Sequence, residues 1–204
     1  MTPSVRSVVF DIGGVLLDWN PRRLYRHLIA DEVERERFLA EVCTMDWNLT
    51  LDAGRSFDEA CAELAALHPG DAELIHAWKR QDEMVAGEVP GTVAIVTRLR
   101  AAGIPLYLLT NMPSDVFAAR LEAYEALQGF AGAVVSGDHG VTKPSPEIFR
   151  LVAERFALDP AETLFIDDSE INVSGARAAG FQAHHFVDAP TLETALAGLG
   201  LLEH

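Results

Sequence analysis

Residues 5–18 read VRSVVFDIGGVLLD, and this stretch decides the fold. Its apolar, β-branched run at residues 8–10 is typical of a strand that is buried on both faces of a parallel sheet. The run ends at Asp11, and Gly13 and Gly14 then allow the backbone to turn tightly. A carboxylate at the carboxyl end of a buried strand lies where open α/β sheets bind ligands. Asp11 is therefore a candidate functional residue, although a structural role as a helix cap is an equal alternative.

The composition restricts the compartment and the class of partner. Among 204 residues, 16 are Lys or Arg and 31 are Asp or Glu, so the net charge is −15. This acidity argues against nucleic acid and against an anionic membrane surface as partners. Asp11 interrupts the first apolar run, so no signal peptide is predicted, and no apolar run is long enough to span a bilayer. Cys43 and Cys61 form no disulfide framework, so a cytoplasmic protein is expected.

From Pro21 to about Val85 the chain reads as helical, without a predicted strand. Pro21 suits a first helical turn, and Asp31 and Ser56 are suitable N-cap residues. The predicted helices cover residues 21–30, 32–43, 57–68 and 71–85. Aromatic residues between them suggest a small bundle with its own core.

From residue 92 onward, helices and strands alternate. The predicted strands cover residues 105–110, 133–136, 163–167 and 183–187. The predicted helices cover residues 92–102, 113–127, 145–156, 170–179 and 191–199. This alternation predicts an α/β fold with a Rossmann-like parallel sheet in the order 3-2-1-4-5, flanked by helices. Residues 1–19 and 88–201 would form this core, residues 20–87 a helical insertion, and residues 202–204 the remnant of a purification tag.

Polar residues follow several of these strands. Thr110 and Asn111 follow the second strand, Asp167 and Asp168 the fourth, and Lys143 lies in the loop after the third. In the order 3-2-1-4-5 the crevice at the carboxyl ends would bring them to Asp11.

Each of these features also has a structural alternative. Thr110 and Asn111 can be merely a polar strand end, and Asp167 and Asp168 can cap a helix. Adjacent buried carboxylates repel each other, however, unless a cation lies between them. Lys143 can be a solvated loop residue, but it is one of only two lysines in the chain. Its compact ammonium can meet a carboxylate and a phosphate as a point charge.

Together these groups suit phosphoryl transfer to a carboxylate. An aspartate nucleophile, Asp11, would attack phosphorus and form an aspartyl phosphate. Two anions react slowly unless cations neutralise them, so Mg²⁺ on Asp11 and Asp168 and the charge of Lys143 would be needed. Oxygen ligands without a Cys or His cluster favour Mg²⁺ over zinc.

These residues resemble the motifs of the haloacid dehalogenase-like hydrolase superfamily over essentially the whole chain. Residues 11–15 (DIGGV) resemble its first motif, whose aspartate is the nucleophile. Thr110 and Asn111 resemble the second motif, which binds the phosphoryl oxygens. Residues 143–149 (KPSPEIF) resemble the third motif, and residues 165–168 (FIDD) resemble the acidic fourth motif. The resemblance implies that the helical insertion is a cap that closes over the substrate and governs specificity.

One residue departs from the family pattern. Most phosphatases of this family have a general acid and base aspartate at the position of Gly13. The carbonyl of Gly13 can still bind a metal, but no side chain is present to donate a proton. This departure resembles a subgroup with sugar-1-phosphate phosphatases, and also the 2-haloacid dehalogenases. Those dehalogenases need no metal and lack an acidic pair such as Asp167 and Asp168, which favours a phosphatase here.

The leading hypothesis is a Mg²⁺-dependent phosphatase that acts on a small phosphorylated metabolite, with a sugar 1-phosphate as one candidate. The expected roles are catalytic for Asp11 and Lys143 and phosphate-binding for Thr110, Asn111 and Lys143. The expected metal ligands are Asp11, Gly13, Asp167 and Asp168. The alternatives are a C–halogen hydrolase and a catalytically silent binding protein on the same fold. The proton that Gly13 cannot supply would come from water, from the substrate or from a cap residue.

Overall fold

A computed structural model describes residues 4–203. In chain order its strands are β1 Ser7–Phe10, β2 Leu17–Trp19, β3 Val85–Glu88, β4 Leu106–Thr110, β5 Gly132–Val135, β6 Thr163–Asp167 and β7 Gln182–His185. Five of them form a parallel sheet in the order β5-β4-β1-β6-β7. Numbered along the chain within this sheet alone, that order is 3-2-1-4-5, as the sequence predicts.

Helices cover both faces of this sheet and also form the segment between β2 and β3. In that segment they are α1 Arg22–Leu28, α2 Glu32–Glu41, α3 Met45–Asp52, α4 Phe57–Leu67 and α5 Ala72–Ala77. Around the sheet they are α6 Pro90–Ala101, α7 Ser114–Ala123, α8 Pro146–Phe156, α9 Glu170–Ala178 and α10 Ala189–Gly198. Among residues 4–203, no helix combines the length and the apolar character that a membrane span requires.

The central strand β1 is buried on both faces. Val8 and Phe10 pack in a cluster with residues of α6, α7 and α10, whereas Val9 packs on the opposite face with residues of α8 and α9. Because successive side chains of a strand point to opposite faces, an unbroken apolar run is required here. This burial also places Asp11, the next residue, at the centre of the carboxyl edge of the sheet.

The helical segment has a hydrophobic cluster of its own. Tyr25, Phe38 and Trp78 are fully buried there, with ring centroids of Tyr25 and Phe38 4.9 Å apart. This cluster is distinct from the two clusters that pack on the faces of the sheet.

The helical segment differs from the prediction in three places. Helix α3 was not predicted, although Thr44 caps it by accepting a hydrogen bond from the backbone N–H of Trp47 (3.1 Å). The predicted helix at residues 71–85 is shorter, since α5 ends at Ala77. Two strands that the sequence did not predict also border the segment, because β2 and β3 pair antiparallel at its two ends. Strands this short carry too few residues for a visible period of two, so only the tertiary pairing identifies them.

The other predicted elements are present with shifted ends. The largest shift affects the helix predicted at residues 113–127, which α7 covers only over Ser114–Ala123. Of the residues predicted to be a tag remnant, His204 lies outside the described residues, and Leu202 packs against the core.

Candidate active site

The carboxyl ends of three adjacent strands bring the predicted site residues together. Asp11 follows β1, Thr110 ends β4 and Asp167 ends β6, and β1 pairs with both neighbours. The loop between β5 and α8 adds Lys143. Above this edge lies a cavity of about 440 Å³, lined by Asp11, Gly13, Thr110, Asn111, Lys143 and Asp168 together with residues of the helical segment. This volume lies within the range of small-molecule sites.

Lys143 lies between two carboxylates. Its side chain is only 1% exposed, and Nζ lies 2.8 Å from Asp11 Oδ1 and 2.6 Å from Asp167 Oδ2. Burial alone would lower the pKa of Lys143, but the two carboxylates outweigh burial and raise it. Lys143 is therefore a fixed positive charge next to Asp11 rather than a solvated loop residue.

Asp11 has one engaged oxygen and one free oxygen. Oδ1 accepts hydrogen bonds from the Ile12 N–H (2.7 Å) and from Lys143, whereas Oδ2 has no hydrogen-bond partner among residues 4–203. Burial raises the pKa of Asp11 to about 8, against the opposing effect of Lys143. A cation close to Asp11 would favour the charged form that a nucleophile needs.

The acidic pair after β6 has two different environments. Asp167 is fully buried, and its Oδ1 accepts hydrogen bonds from the Ser169 N–H (2.8 Å) and from Asn172 Nδ2 (3.0 Å). Asp168 is exposed and lines the cavity, and partial desolvation followed by repulsion from Asp167 raises its pKa. Asp167 therefore holds Lys143 in place, while Asp168 is free to bind a ligand.

Carboxylate oxygens of Asp11, Asp167 and Asp168 all lie within 4.8 Å of one another. Such a cluster of hard oxygen donors fits Mg²⁺, which prefers carboxylates and water. The donor set of the site thus agrees with the predicted metal.

Asn111 is engaged with the backbone of Lys143. Its Oδ1 accepts a hydrogen bond from the Lys143 N–H (2.8 Å), and its Nδ2 donates to the Lys143 carbonyl (3.1 Å). Asn111 therefore positions the lysine loop, and the second hydrogen of Nδ2 remains for the predicted phosphate contact. The buried Thr110 lines the cavity beside it.

The two glycines after Asp11 are not equivalent. Gly14 has a φ of +74°, and a Cβ there would lie 2.2 Å from Asp168 Oδ2. Gly13 does not have a positive φ, and a Cβ there would meet nothing within 4 Å among the described residues. The backbone requires glycine only at position 14, so the absence of a side chain at position 13 is not imposed by the turn.

Sequence reasoning missed several residues around the site. Asn172 holds Asp167, and Asp52 and Arg120 line the same cavity from α3 and α7. Both are buried, at 8% and 3% exposure, and Nε and Nη2 of Arg120 have no hydrogen-bond partner among the described residues. No sequence motif marks these positions, because their placement depends on how the helical segment docks on the sheet.

Two tryptophans on the side of the helical segment differ in their surroundings. Trp19 lines the cavity, whereas Trp78 is fully buried in the core of the segment and donates a hydrogen bond to Asn48. Arg55 forms an ion pair with Glu63 and lies outside this cavity.

The fold and this arrangement of side chains place the chain in a known class. Residues 5–180 match the model of the haloacid dehalogenase-like hydrolase family, and the chain belongs to that family. A sesquiterpene phosphatase of Aspergillus oryzae is 25% identical over 190 residues, which cover 92% of this chain and 93% of the relative.

Solved structures show the same fold. The magnesium complex of a HAD family enzyme of Bacteroides thetaiotaomicron is 22% identical, with a TM-score of 0.69 over 92% of this chain and 95% of the other. The L-2-haloacid dehalogenase of Xanthobacter autotrophicus, with chloropropionic acid covalently bound, is 19% identical, with a TM-score of 0.66 over 95% and 83%. Since a HAD family enzyme and a haloacid dehalogenase share this fold, the side chains of the site must distinguish the activities.

Proposed function

We propose that the chain is a Mg²⁺-dependent phosphatase that hydrolyses a small phosphorylated metabolite through a phosphorylated Asp11. The observation that carries this proposal is the cluster of Asp11, Asp167 and Asp168 around the buried Lys143. Three carboxylates and one lysine leave an excess of negative charge in the site. A divalent cation would neutralise this excess, and an anionic phosphate ester requires such neutralisation in order to bind and react.

The chemistry follows from the two oxygens of Asp11. Oδ1 is held by the Ile12 N–H and by Lys143, so Oδ2 is the oxygen that is free to attack phosphorus. Lys143 stabilises charge on the phosphoryl oxygens, and Thr110 and Asn111 contact the same group from β4 and the loop after it. A Mg²⁺ ion held by Asp11, the Gly13 carbonyl and Asp168 would supply further neutralising charge.

The cavity wall indicates which substrates of this class fit the site. The cavity wall contains apolar side chains from Trp19, Leu49 and Met112 beside the polar site residues. This mixture accepts a substrate with a partly apolar body as well as a sugar 1-phosphate. The sesquiterpene phosphatase among the relatives supports testing phosphorylated alcohols of both kinds.

A C–halogen hydrolase is the principal alternative, and the shared fold of the haloacid dehalogenase keeps it open. Attack on a neutral alkyl halide does not require a metal cluster beside the nucleophile, so the acidic cluster favours the phosphatase. We expect phosphate release from p-nitrophenyl phosphate that stops with EDTA, and no chloride release from 2-chloropropionate. Chloride release that EDTA leaves unchanged, without phosphate release, would overturn the proposal.

A panel of phosphorylated metabolites, assayed with Asp11→Asn as the blank, would then identify the substrate. Mg²⁺ binding without turnover of any panel member would instead support a silent binding protein.

A further inference from the structure

The leaving group of the proposed reaction needs a proton. Attack by Asp11 in line with the breaking P–O bond places the leaving oxygen on the side opposite Asp11, towards the helical segment. Gly13 has no side chain to protonate this oxygen. Apart from the acidic cluster beside Lys143, the described residues place two further carboxyl side chains at the cavity, those of Asp46 and Asp52 in α3.

Asp52 is held in one orientation with one oxygen free. Its Oδ2 accepts a hydrogen bond from Asn48 Nδ2 (2.9 Å), and Asn48 Oδ1 accepts one from Trp78 Nε1 (2.9 Å). Trp78 is fully buried, so this chain of hydrogen bonds anchors the carboxyl group in the core of the helical segment. Oδ1 of Asp52 has no hydrogen-bond partner in the part of the chain that the structure describes.

The backbone of Asp52 is fixed to the sheet. Its carbonyl accepts a hydrogen bond from Ser136 Oγ (2.5 Å), and the same Oγ accepts one from the Met112 N–H (2.9 Å). Met112 directly follows Thr110 and Asn111, which border the proposed phosphate site. One serine therefore connects the position of Asp52 to the loop that would hold the phosphoryl group.

The surroundings of Asp52 also suit a proton donor. Burial raises the pKa of Asp52 to about 7, and the charges of Lys143 and Arg120 oppose this shift. The ideal general acid has a pKa close to the working pH. Asp46 lies on the same helix but is exposed, so it does not share this environment.

We propose that Asp52 is the general acid and base of the reaction, in the role that the residue at position 13 cannot fill. This inference rests on the proposed phosphatase function. In the first step Asp11 Oδ2 bonds to phosphorus, the P–O bond to the leaving group breaks, and its electron pair takes the proton of Asp52 Oδ1. The products are the free alcohol, phosphorylated Asp11 and ionised Asp52.

The second step restores both residues. Ionised Asp52 accepts a proton from a water molecule whose oxygen attacks the phosphorus on Asp11. The bond between phosphorus and Asp11 breaks, its electrons return to the Asp11 carboxylate, and inorganic phosphate leaves. Protons and electrons thus balance over the cycle without a co-reactant.

The test compares esters that differ in how much they need the proton. In Asp52→Asn we expect kcat/KM for an alkyl phosphate to fall by about 10²–10⁴-fold, the usual contribution of general acid help. For p-nitrophenyl phosphate, whose leaving group tolerates negative charge, the loss should be far smaller. A merely structural role for Asp52 would reduce both values equally, and that result would overturn the inference.

Three variants serve as controls. Asp46→Asn removes a carboxylate from the same helix and should leave the ratio of the two kcat/KM values unchanged. Asp52→Glu keeps an acid and should retain part of the alkyl ester turnover. A Cβ at position 13 would meet no described atom within 4 Å, so an aspartate side chain can start there without a clash. The substitution Gly13→Asp should therefore restore alkyl ester turnover in the Asp52→Asn background.

The unaltered protein provides a test that does not depend on a variant folding. Its kcat/KM for the alkyl ester should decline as the pH rises through about 7, because Asp52, facing Lys143 and Arg120, loses its proton. The value for p-nitrophenyl phosphate should not show this decline. Parallel pH profiles would overturn the inference alone, whereas no turnover of either ester would overturn the proposed function as well.

Discussion

Lys143 Nζ lies 2.8 Å from Asp11 Oδ1 in the interior of the protein, with the side chains 1% and 11% exposed. Asp167 holds the same ammonium from the other side at 2.6 Å. The two carboxylates and the lysine have a formal charge of −1 when ionised, and Asp168 adds a further negative charge. A site with this imbalance attracts cations and tolerates an anionic substrate only when a cation is bound.

Removal of Lys143 should affect both activity and stability. We expect Lys143→Ala to reduce turnover by about 10²-fold or more, comparable to the loss of another charge-stabilising group. It should also lower the free energy of unfolding by about 3–5 kcal/mol, since two buried carboxylates lose their partner. Phosphatase assays and urea denaturation would measure the two effects. Lys79→Ala, which removes the exposed lysine paired with Asp58, is the matched control and should change neither.

Replacement of Asp11, the proposed nucleophile, should abolish turnover without unfolding the protein. Asp11→Asn keeps the shape of the side chain and removes a charge whose burial is unfavourable, so the variant should fold. Mass spectrometry of the quenched reaction should find phosphate on Asp11 in the unaltered protein. Asp18→Asn alters an exposed carboxylate beyond the glycine turn and should remain active. Phosphate trapped on another residue would refute the assignment.

Phosphate release should require Mg²⁺ specifically, and not any divalent cation. EDTA should abolish phosphate release, and Mg²⁺ should restore it, whereas Ca²⁺ should not, because it is larger and looser in its coordination. Asp168→Asn should weaken Mg²⁺ binding in a calorimetric titration, because Asp168 is the exposed member of the acidic cluster. Unchanged Mg²⁺ affinity in this variant would show that the metal binds elsewhere.

The two glycines of the first loop should respond differently to alanine. Gly14→Ala combines a left-handed backbone position with a contact of 2.2 Å to Asp168 Oδ2, so either the turn or Asp168 must move. We expect reduced stability, by about 1–2 kcal/mol from the backbone alone, and loss of Mg²⁺ binding. Gly13→Ala has open space and should be tolerated. Thermal unfolding and metal titration of both variants would measure this contrast.

Asp52 should make stability depend on pH. Its pKa is raised to about 7, above the value of about 4 for an unfolded aspartate, so the folded state holds the proton more tightly. The resulting stabilisation is complete below pH 4 and is lost as the pH rises through 7. Relative to Asp52→Asn, the unaltered protein should therefore lose stability between pH 4 and pH 7. Urea denaturation in EDTA at both ends of this range would measure the difference in unfolding free energy between the unaltered protein and Asp52→Asn. A difference that is the same at both pH values would contradict the prediction.

Local sequence was sufficient for much of the fold and for the centre of the site. The apolar run before Asp11 predicts a central strand, because only a strand covered on both faces needs apolar residues at successive positions. Polar residues after the strands predict Asp11, Thr110 and Asp168 as candidate site residues, and the loop after β5 adds Lys143, since the carboxyl edge of a parallel sheet collects them. The family resemblance also predicted Gly13 as the position where a proton donor is missing.

Tertiary structure alone decided how the helical segment completes the site. Helix α3, the pairing of β2 with β3, and the cavity positions of Asp52 and Arg120 depend on contacts between residues far apart in the chain. The different roles of Asp167 and Asp168 are equally non-local, since Lys143 and Asn172 engage one carboxylate and leave its neighbour at the cavity. Periodicity and caps describe interactions within a few residues, whereas burial and pKa shifts arise from the surroundings that only the folded chain creates.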